Sequence, residues 1–408
     1  MLKTLSFTKL PKAALLNDLH QISRTVSAET KTDFGTGGLV GLAGVAMFQF
    51  YYSNFTNNNN YADYALENLE KSLEIINKGN GIPSFCSGIG GMGWILSHLK
   101  QKGFLDTDDS LLADIDEYVY EAMINYINER NYDFLHGAIG CGFYFLKRYQ
   151  NSNDSRSQNK YKNFLTTLIE NLESSSIVID NQVYWMSVID ESGKRGYNLG
   201  LAHGVASVVN FLSRLYLIKD LRLKVQKMLE GGINYILSYR GESKFSCSNF
   251  PSYIDENGKI FWNSRLAWCY GDLGIGLSLY QAGNALDDIS LRSTSLAILN
   301  HASLRYEAED TCVADAGLCH GSFGIAQIFN YMYRQTGHLN FRNAYHYWVN
   351  DGINQKLQNN KNIGYRKKTT NGWVDDISVL EGISGIGLAI ISSLSKENIS
   401  WDECLMIN

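Results

Sequence analysis

Apolar residues recur at helical spacing in separate stretches of the chain: Leu66, Leu69, Leu73 and Ile76; Ile115, Val119, Met123 and Tyr126; Val225, Leu229, Ile233 and Ile236. Each set predicts an amphipathic helix with one face turned to a core. Between them lie runs of a second kind, apolar on more than one side, such as Leu273-Gly-Ile-Gly-Leu-Ser-Leu-Tyr280, which predict helices packed on two faces. Each of these runs follows a short glycine motif. The motifs are Gly41-Leu-Ala-Gly44, Gly88-Ile-Gly-Gly91, Gly137-Ala-Ile-Gly140, Gly204-Val-Ala-Ser207, Gly271-Asp-Leu-Gly274, Gly321-Ser-Phe-Gly324 and Gly382-Ile-Ser-Gly385. Successive first glycines lie 47, 49, 67, 67, 50 and 61 residues apart, which is the length of a helix pair with its loops.

Seven inner helices ringed by seven outer ones would close on themselves as an α/α toroid. An open solenoid would need polar end repeats, yet the first unit (Phe34 to Tyr52) and the last (Leu380 to Leu394) are as apolar as the middle ones. Only 3 prolines occur in 408 residues, so the commonest helix breaker is nearly missing. The expected fold is therefore all-α, a toroid of seven helix-pair repeats forming a single domain over 1–408. Two segments break the helical pattern. Ile177 to Ser187 and Ser252 to Trp262 each set polar turn residues between β-prone arms, and Asn257-Gly258 is a hairpin signal. They predict small β-hairpin insertions, at about 177–190 and 245–262, placed to cover the mouth of the ring. Asn57 to Asn60 reads as a polar loop.

Composition narrows the function classes. A chain 45% hydrophobic and 19% charged can bury a large core, and its net charge of −5 advertises no basic face for nucleic acid or anionic lipid. The longest apolar stretch, Gly37 to Tyr52, is too short for a membrane span and contains Gln49, so no integral membrane segment is expected. The start, Met-Leu-Lys-Thr-Leu-Ser, lacks the apolar centre of a signal peptide, and a cytoplasmic location is expected. The 7 cysteines, an odd number, argue for free thiols or metal ligation over a disulfide framework.

Cys269, Cys319 and His320 stand immediately before the glycine motifs of repeats five and six, which are neighbours in a toroid. Two thiolates and an imidazole are a common zinc set, and three protein ligands leave a fourth position for a reactant. Such a zinc is a weak Lewis acid but lowers the pKa of a bound thiol while leaving it nucleophilic. A free thiol is only a few per cent ionised near neutrality, so full ionisation is worth about 2 kcal/mol. A lone cysteine or histidine in an apolar repeat is more often a core residue; the shared register is what argues for ligands. Two cysteines in that register are poor tools for the glycosidases that also use α/α toroids, since acetal hydrolysis wants a carboxylate pair.

Trp268-Cys269-Tyr270-Gly271 with Arg265 three residues before the tryptophan, Cys319-His320-Gly321, Leu201-Ala202-His203-Gly204 and the repeated Gly-x-x-Gly helix starts together resemble the lanthionine synthetase C-like (LanC) family, over essentially the whole chain. The resemblance implies an α/α toroid with one catalytic Zn2+ bound by Cys269, Cys319 and His320. It implies a stand-alone cyclase that adds cysteine thiolates to dehydroalanine or dehydrobutyrine in a dehydrated lantibiotic precursor peptide, partnered by a separate dehydratase and an exporter complex. By the same analogy His203 deprotonates the thiol or protonates the enolate, and Asp133, in Tyr132-Asp-Phe-Leu-His-Gly137, orients it. Arg265 and Tyr270 would contact the enolate or substrate amides. Plainer roles stay open: His203 as a helix-start residue, Asp133 as the cap of the third inner helix, Arg265 as a core salt-bridge partner, Trp268 as packing. His136 precedes a glycine in the same frame, so register alone does not separate it from His203; the family pattern favours His203. Cys86, Cys141, Cys247, Cys312 and Cys404 match no ligand position. Two other functions fit the same residues, a relative that adds glutathione to dehydroamino acids and a zinc-stabilised peptide-binding scaffold without turnover.

Overall fold

The computed structural model describes residues 9–28, 34–106, 109–189, 193–241, 247–262, 264–357 and 363–408. Residues 190, 245 and 246, at the ends of the two expected β segments, lie outside these. The chain opens with α1 (Lys12–Ala28). Among the described residues six helix pairs follow. They are α2 (Leu42–Thr56) with α3 (Asn60–Asn77), α4 (Ile89–Gln101) with α5 (Asp109–Asn128), and α6 (Ala138–Asn151) with α7 (Ser155–Ser175). Next come α8 (Val205–Tyr216) with α9 (Arg222–Ser238) and α10 (Asp272–Ala285) with α11 (Ile289–Ala302). After the short α12 (Ala308–Thr311), α13 (Ser322–Thr336) pairs with α14 (Leu339–Asn354), and α15 (Ile383–Leu394) is the seventh inner helix.

The inner helices α2, α4, α6, α8, α10, α13 and α15 pack in that order, and α15 returns to α2, so the ring is closed. The outer partner of α15 comes from the other end of the chain: α1 packs on it through Leu15, Leu19, Ile22 and Val26, all buried. Asp18 locks this closure, its buried carboxylate accepting from Lys356 Nζ at 2.8 Å and from the Tyr365 hydroxyl at 2.8 Å. The inner helices are buried almost all round, as their apolar runs predict. On α3 the buried stripe is turned from the expected one. Ala65, Asn68, Leu69 and Ser72 face inward while Leu66 is 40% exposed, because Asn68 donates to the buried Gln49 Oε1 of α2 at 2.8 Å. A polar pair, invisible to hydrophobic spacing, sets the helix rotation there.

Short antiparallel strands occupy the long inter-repeat loops. β1 (Ile177–Ile179) and β2 (Gln182–Tyr184) form a hairpin. β3 (Ser187–Val188), β4 (Arg195–Asn198), β5 (Tyr253–Asp255) and β6 (Ile260–Phe261) form a single four-stranded sheet in sequence order. The two excursions expected as separate hairpins are thus joined, with Gly196 opposite Asp255 and Asn198 opposite Tyr253. A further hairpin, β7 (Lys367–Thr369) and β8 (Gly372–Val374), went unexpected although Asn371-Gly372 signals it.

The chain ends in a 3-10 turn (Ser400–Leu405) whose Trp401, Cys404, Leu405, Met406 and Ile407 are buried. Inner helices hold this segment. Lys147 Nζ donates to Glu403 at 2.7 Å, Gln281 Nε2 to the Ile407 carbonyl at 2.6 Å, and Gln327 Nε2 to Asp402 at 2.8 Å. The buried Trp268 Nε1 reaches the Leu405 carbonyl at 2.8 Å, tying the C-terminal segment to the residue before Cys269.

Candidate active site

Each inner helix is entered through a loop that ends at its first glycine, which is the N-cap residue in every repeat. The side chains just before the glycines are therefore delivered to one level of the ring: Val40, Ser87, His136, His203, Tyr270, His320 and Glu381. Before them stand Leu39, Cys86, Leu135, Ala202, Cys269, Cys319 and Leu380. The backbones of this second set are stitched into a cyclic ladder. Leu39 N donates to Cys86 O at 2.9 Å, Cys86 N to Leu135 O at 2.9 Å, Ala202 N to Cys269 O at 3.3 Å and Cys269 N to Cys319 O at 3.4 Å. Cys319 N donates to Leu380 O at 2.9 Å, and Leu380 N to Leu39 O at 2.9 Å, completing the turn. Among the described residues one rung is absent, between Leu135 and Ala202 of repeats three and four.

Glycine is required where these loops turn. Gly271 sits at φ +77°, a left-handed value costly for other residues. A Cβ at Gly324 would lie 1.8 Å from the Leu318 carbonyl oxygen, so the loop carrying Cys319 can rest on α13 only where that position has no side chain.

Cys269, Cys319 and His320 converge. One ligand atom from each lies within 4.8 Å of the other two, among buried or half-buried side chains. Sulfurs about 2.3 Å from a tetrahedral zinc stand about 3.8 Å apart, so the set fits such an ion. The thiols interact, and that hydrogen bond with Cys319 pulls the Cys269 thiol below its ordinary range, His320 and Arg265 adding to the effect against burial. Behind His320, Asp315 Oδ2 lies 3.8 Å from Nε2, and Asp315 is itself fixed by the backbone N–H groups of Gly317 at 3.0 Å and Lys368 at 3.1 Å. Lys367, on β7, pairs with Glu381 beside the cluster.

The absent rung is bridged by side chains. Asp133 Oδ2 lies 2.6 Å from His203 Nδ1, and Oδ1 accepts from the His136 backbone N–H at 2.7 Å. Asp133 thus holds a loop and an imidazole, and does not cap α6. Burial alone would lower the His203 pKa, but the Asp133 carboxylate outweighs it and holds the imidazole above its ordinary value. Tyr270 accepts from Asn198 Nδ2 at 3.2 Å and places its ring 6.1 Å from that of His203; burial raises its pKa. The Arg265 side chain is exposed and so is no core salt-bridge partner, while its charge reaches both Cys269 and His320. A cleft of about 760 Å³ opens here, lined by Asp133, His136, His203 and Tyr270 and walled by Met186 to Ile189 and Arg195 of the four-stranded sheet.

The structure therefore brings the seven sequence-predicted residues to one end of the ring. It adds others that the sequence reading passed over. Asn131, Asn198, Asp315 and Asp376 all stand six residues before a first glycine, and each accepts from the backbone N–H two residues on. That repeated Asx turn is a legible signal for Asp315. Cys86 shares the register of Cys269 and Cys319, but burial pushes its thiol up to about 12.

A closed α/α toroid with a two-thiol, one-imidazole centre and a histidine–carboxylate pair at its inner-helix N-termini defines the class. Residues 37–406 match the family described as lanthionine synthetase C-like protein, and the chain belongs to that family. Nisin biosynthesis protein NisC of Lactococcus lactis subsp. lactis is 24% identical over 352 residues, covering 79% of this chain and 77% of that protein. The structure of a nisin cyclase superposes with a TM-score of 0.73 at 19% identity, covering 97% of each chain, and shares the fold. Among the described residues no helix is long and apolar enough to cross a membrane.

Proposed function

We propose that this protein is a zinc-dependent lanthionine-forming peptide cyclase, which closes thioether rings by adding cysteine thiols of a dehydrated precursor peptide to its dehydroalanine or dehydrobutyrine residues. The observation that carries this reading is the Cys269–Cys319–His320 centre together with the Asp133–His203 pair, which lines an open cleft alongside Tyr270, the neighbour of Cys269 in the chain. A zinc ion held by the three ligands would supply one thing, a lowered pKa for the substrate thiol, which still has to hand its proton to a base.

The protein's own groups do the rest. The cleft, lined by loop side chains and the sheet, has room for a short peptide stretch and holds the dehydrated residue against the thiol. Addition at the β-carbon moves the π electrons to the amide oxygen. The N-termini of α6, α8 and α10, all directed at this level of the ring, favour that developing negative charge, with Tyr270 lining the cleft and the Arg265 charge felt at Cys269. His203, fixed through Nδ1, presents its other nitrogen for proton transfer, a role worth roughly 10²- to 10⁴-fold. Such a substrate requires a dehydratase acting first, and an exporter complex is a natural later partner.

The test is the zinc content of the purified protein beside Cys269→Ala and Cys319→Ala, followed by ring closure of a dehydrated peptide with wild type and His203→Ala. About one zinc per chain in wild type and His203→Ala, little in the cysteine variants, and ring closure by wild type alone are expected. A folded, zinc-supplemented wild type that binds no metal would sink the reading. One that binds metal and peptide but closes no ring would be a scaffold.

A further inference from the structure

The open seam of the ring presents two imidazoles to the cleft. His136 and His203 stand immediately before the glycine N-caps of α6 and α8, with ring centroids 6.2 Å apart and planes within 14° of parallel. Both line the cleft. They stack at the one junction where no backbone rung joins neighbouring loops, so the seam leaves room for both rings.

Their partners differ. His203 commits Nδ1 to Asp133. His136 gives the same carboxylate only its backbone N–H, and among the described residues neither of its ring nitrogens has a hydrogen-bond partner, although the residue is exposed. An imidazole hydrogen-bonded to a carboxylate holds a proton; an unpaired one stacked on it stays neutral and can take a proton. Partial desolvation in the cleft lowers the His136 pKa and the His203 charge adds to this against Asp133, whereas Asp133 raises His203. Two titratable groups whose proton affinities are pushed apart in one site suit the acid and the base of a single reaction.

We propose that His136 is a second catalytic residue of the thioether-forming reaction, the base that takes the proton of the incoming cysteine thiol, while His203 is the acid that delivers a proton to the α-carbon. The inference rests on the functional reading above. In the step the S–H bond breaks and its proton goes to a free ring nitrogen of His136. The sulfur electron pair forms the C–S bond at the β-carbon, and the π pair moves to the amide oxygen. The enolate then takes the Nε2 proton of His203 at the α-carbon. One proton returned from His136 to His203 through solvent restores both rings, and the net change is addition of S–H across the double bond.

The experiment measures kcat and KM for a peptide with a single ring to close, from pH 6 to 9, using zinc-loaded wild type, His136→Asn and His203→Asn. The charged and titratable side chains facing His136 in the cleft are Asp133, Glu129 and Arg130 on its own side, Arg195 on β4, and His203 and Tyr270 on the neighbouring loops; all are kept in His136→Asn. Its kcat is expected to fall by about 10²-fold near neutrality, with zinc content and KM within about twofold of wild type. The deficit should shrink toward pH 9, where hydroxide takes the thiol proton in place of His136, and added imidazole should restore part of the rate. The His203→Asn deficit should show no such recovery. Wild-type kcat in His136→Asn would overturn the proposal, as would a deficit constant with pH or accompanied by zinc loss, which would mark a packing role. A wild type that closes no ring would overturn the functional reading itself, before any variant is compared.

Discussion

Replacing Asp133 by Asn keeps the shape of the seam and removes its charge. Asn retains an oxygen to accept the His136 N–H, now 2.7 Å from Oδ1, so the loop should hold. What is lost is the charge on the 2.6 Å contact with His203 Nδ1. A hydrogen bond to a charged partner is worth about 1.5–3 kcal/mol. The two side chains are 27% and 18% exposed, so solvent screens part of this, and we take the lower bound of about 1.5 kcal/mol. Its loss lowers the His203 pKa toward that of an unpaired imidazole. The sign for stability follows from His203 lying above its unfolded value of about 6.5. The pairing contributes in full below about pH 6.5 and fades as pH rises through the folded pKa. Asp133→Asn should therefore be less stable than wild type by about 1.5 kcal/mol at pH 5.5 and by much less above pH 8. Titration of the His203 ring C–H resonance by NMR in zinc-loaded protein reads the shift directly, and urea unfolding at the two pH values reads the linkage. A His203 pKa unchanged within a few tenths, or a stability deficit equal at both pH values, would refute the reasoning.

Asp18→Ala removes the buried partner of Lys356 and Tyr365 that fastens α1 to the segment after α14; a loss of about 3 kcal/mol is expected, and a urea midpoint equal to wild type would show that Asp18 does not fasten the closure. Gly324→Ala forces a Cβ against the Leu318 carbonyl and should cost about 1–3 kcal/mol by overpacking while weakening zinc binding through the displaced Cys319; thermal unfolding and zinc content at wild-type values would refute this.

The ring was legible because its two kinds of helix carry different hydrophobic patterns and because a glycine motif marks every inner-helix start. The grouping of Cys269, Cys319 and His320 was legible because they share one register and one family's motifs. What escaped depends on tertiary pairing. No local pattern says that Gly196 lies opposite Asp255, so the union of two β segments into one wall of the cleft could not be read. The apolar stripe Leu15, Leu19, Ile22 and Val26 announces a helix but not that it serves the last repeat. The rotation of α3 hangs on the Asn68–Gln49 hydrogen bond. His136 and His203 occupy equivalent positions, and only their side-chain geometry shows that one is paired with Asp133 and the other is not.

The distribution of chemistry around the ring has a physical basis in the ladder of loop backbones. Repeats one, two and seven carry rungs of 2.9 Å, and repeats one and two offer only Val40 and Ser87 to the common level. Toward repeats four to six the rungs lengthen to 3.3 and 3.4 Å, and between three and four the rung is missing. Each weakened main-chain bond forgoes about 1 kcal/mol at most. The charge-assisted Asp133–His203 contact spans the missing rung and offsets a loss of that size. A metal shared by Cys269 on repeat five and Cys319 and His320 on repeat six would tie that weakened junction in the same way. The groups proposed for chemistry are thus also the fasteners of the loosest sector of the toroid, which is the sector the cleft opens on.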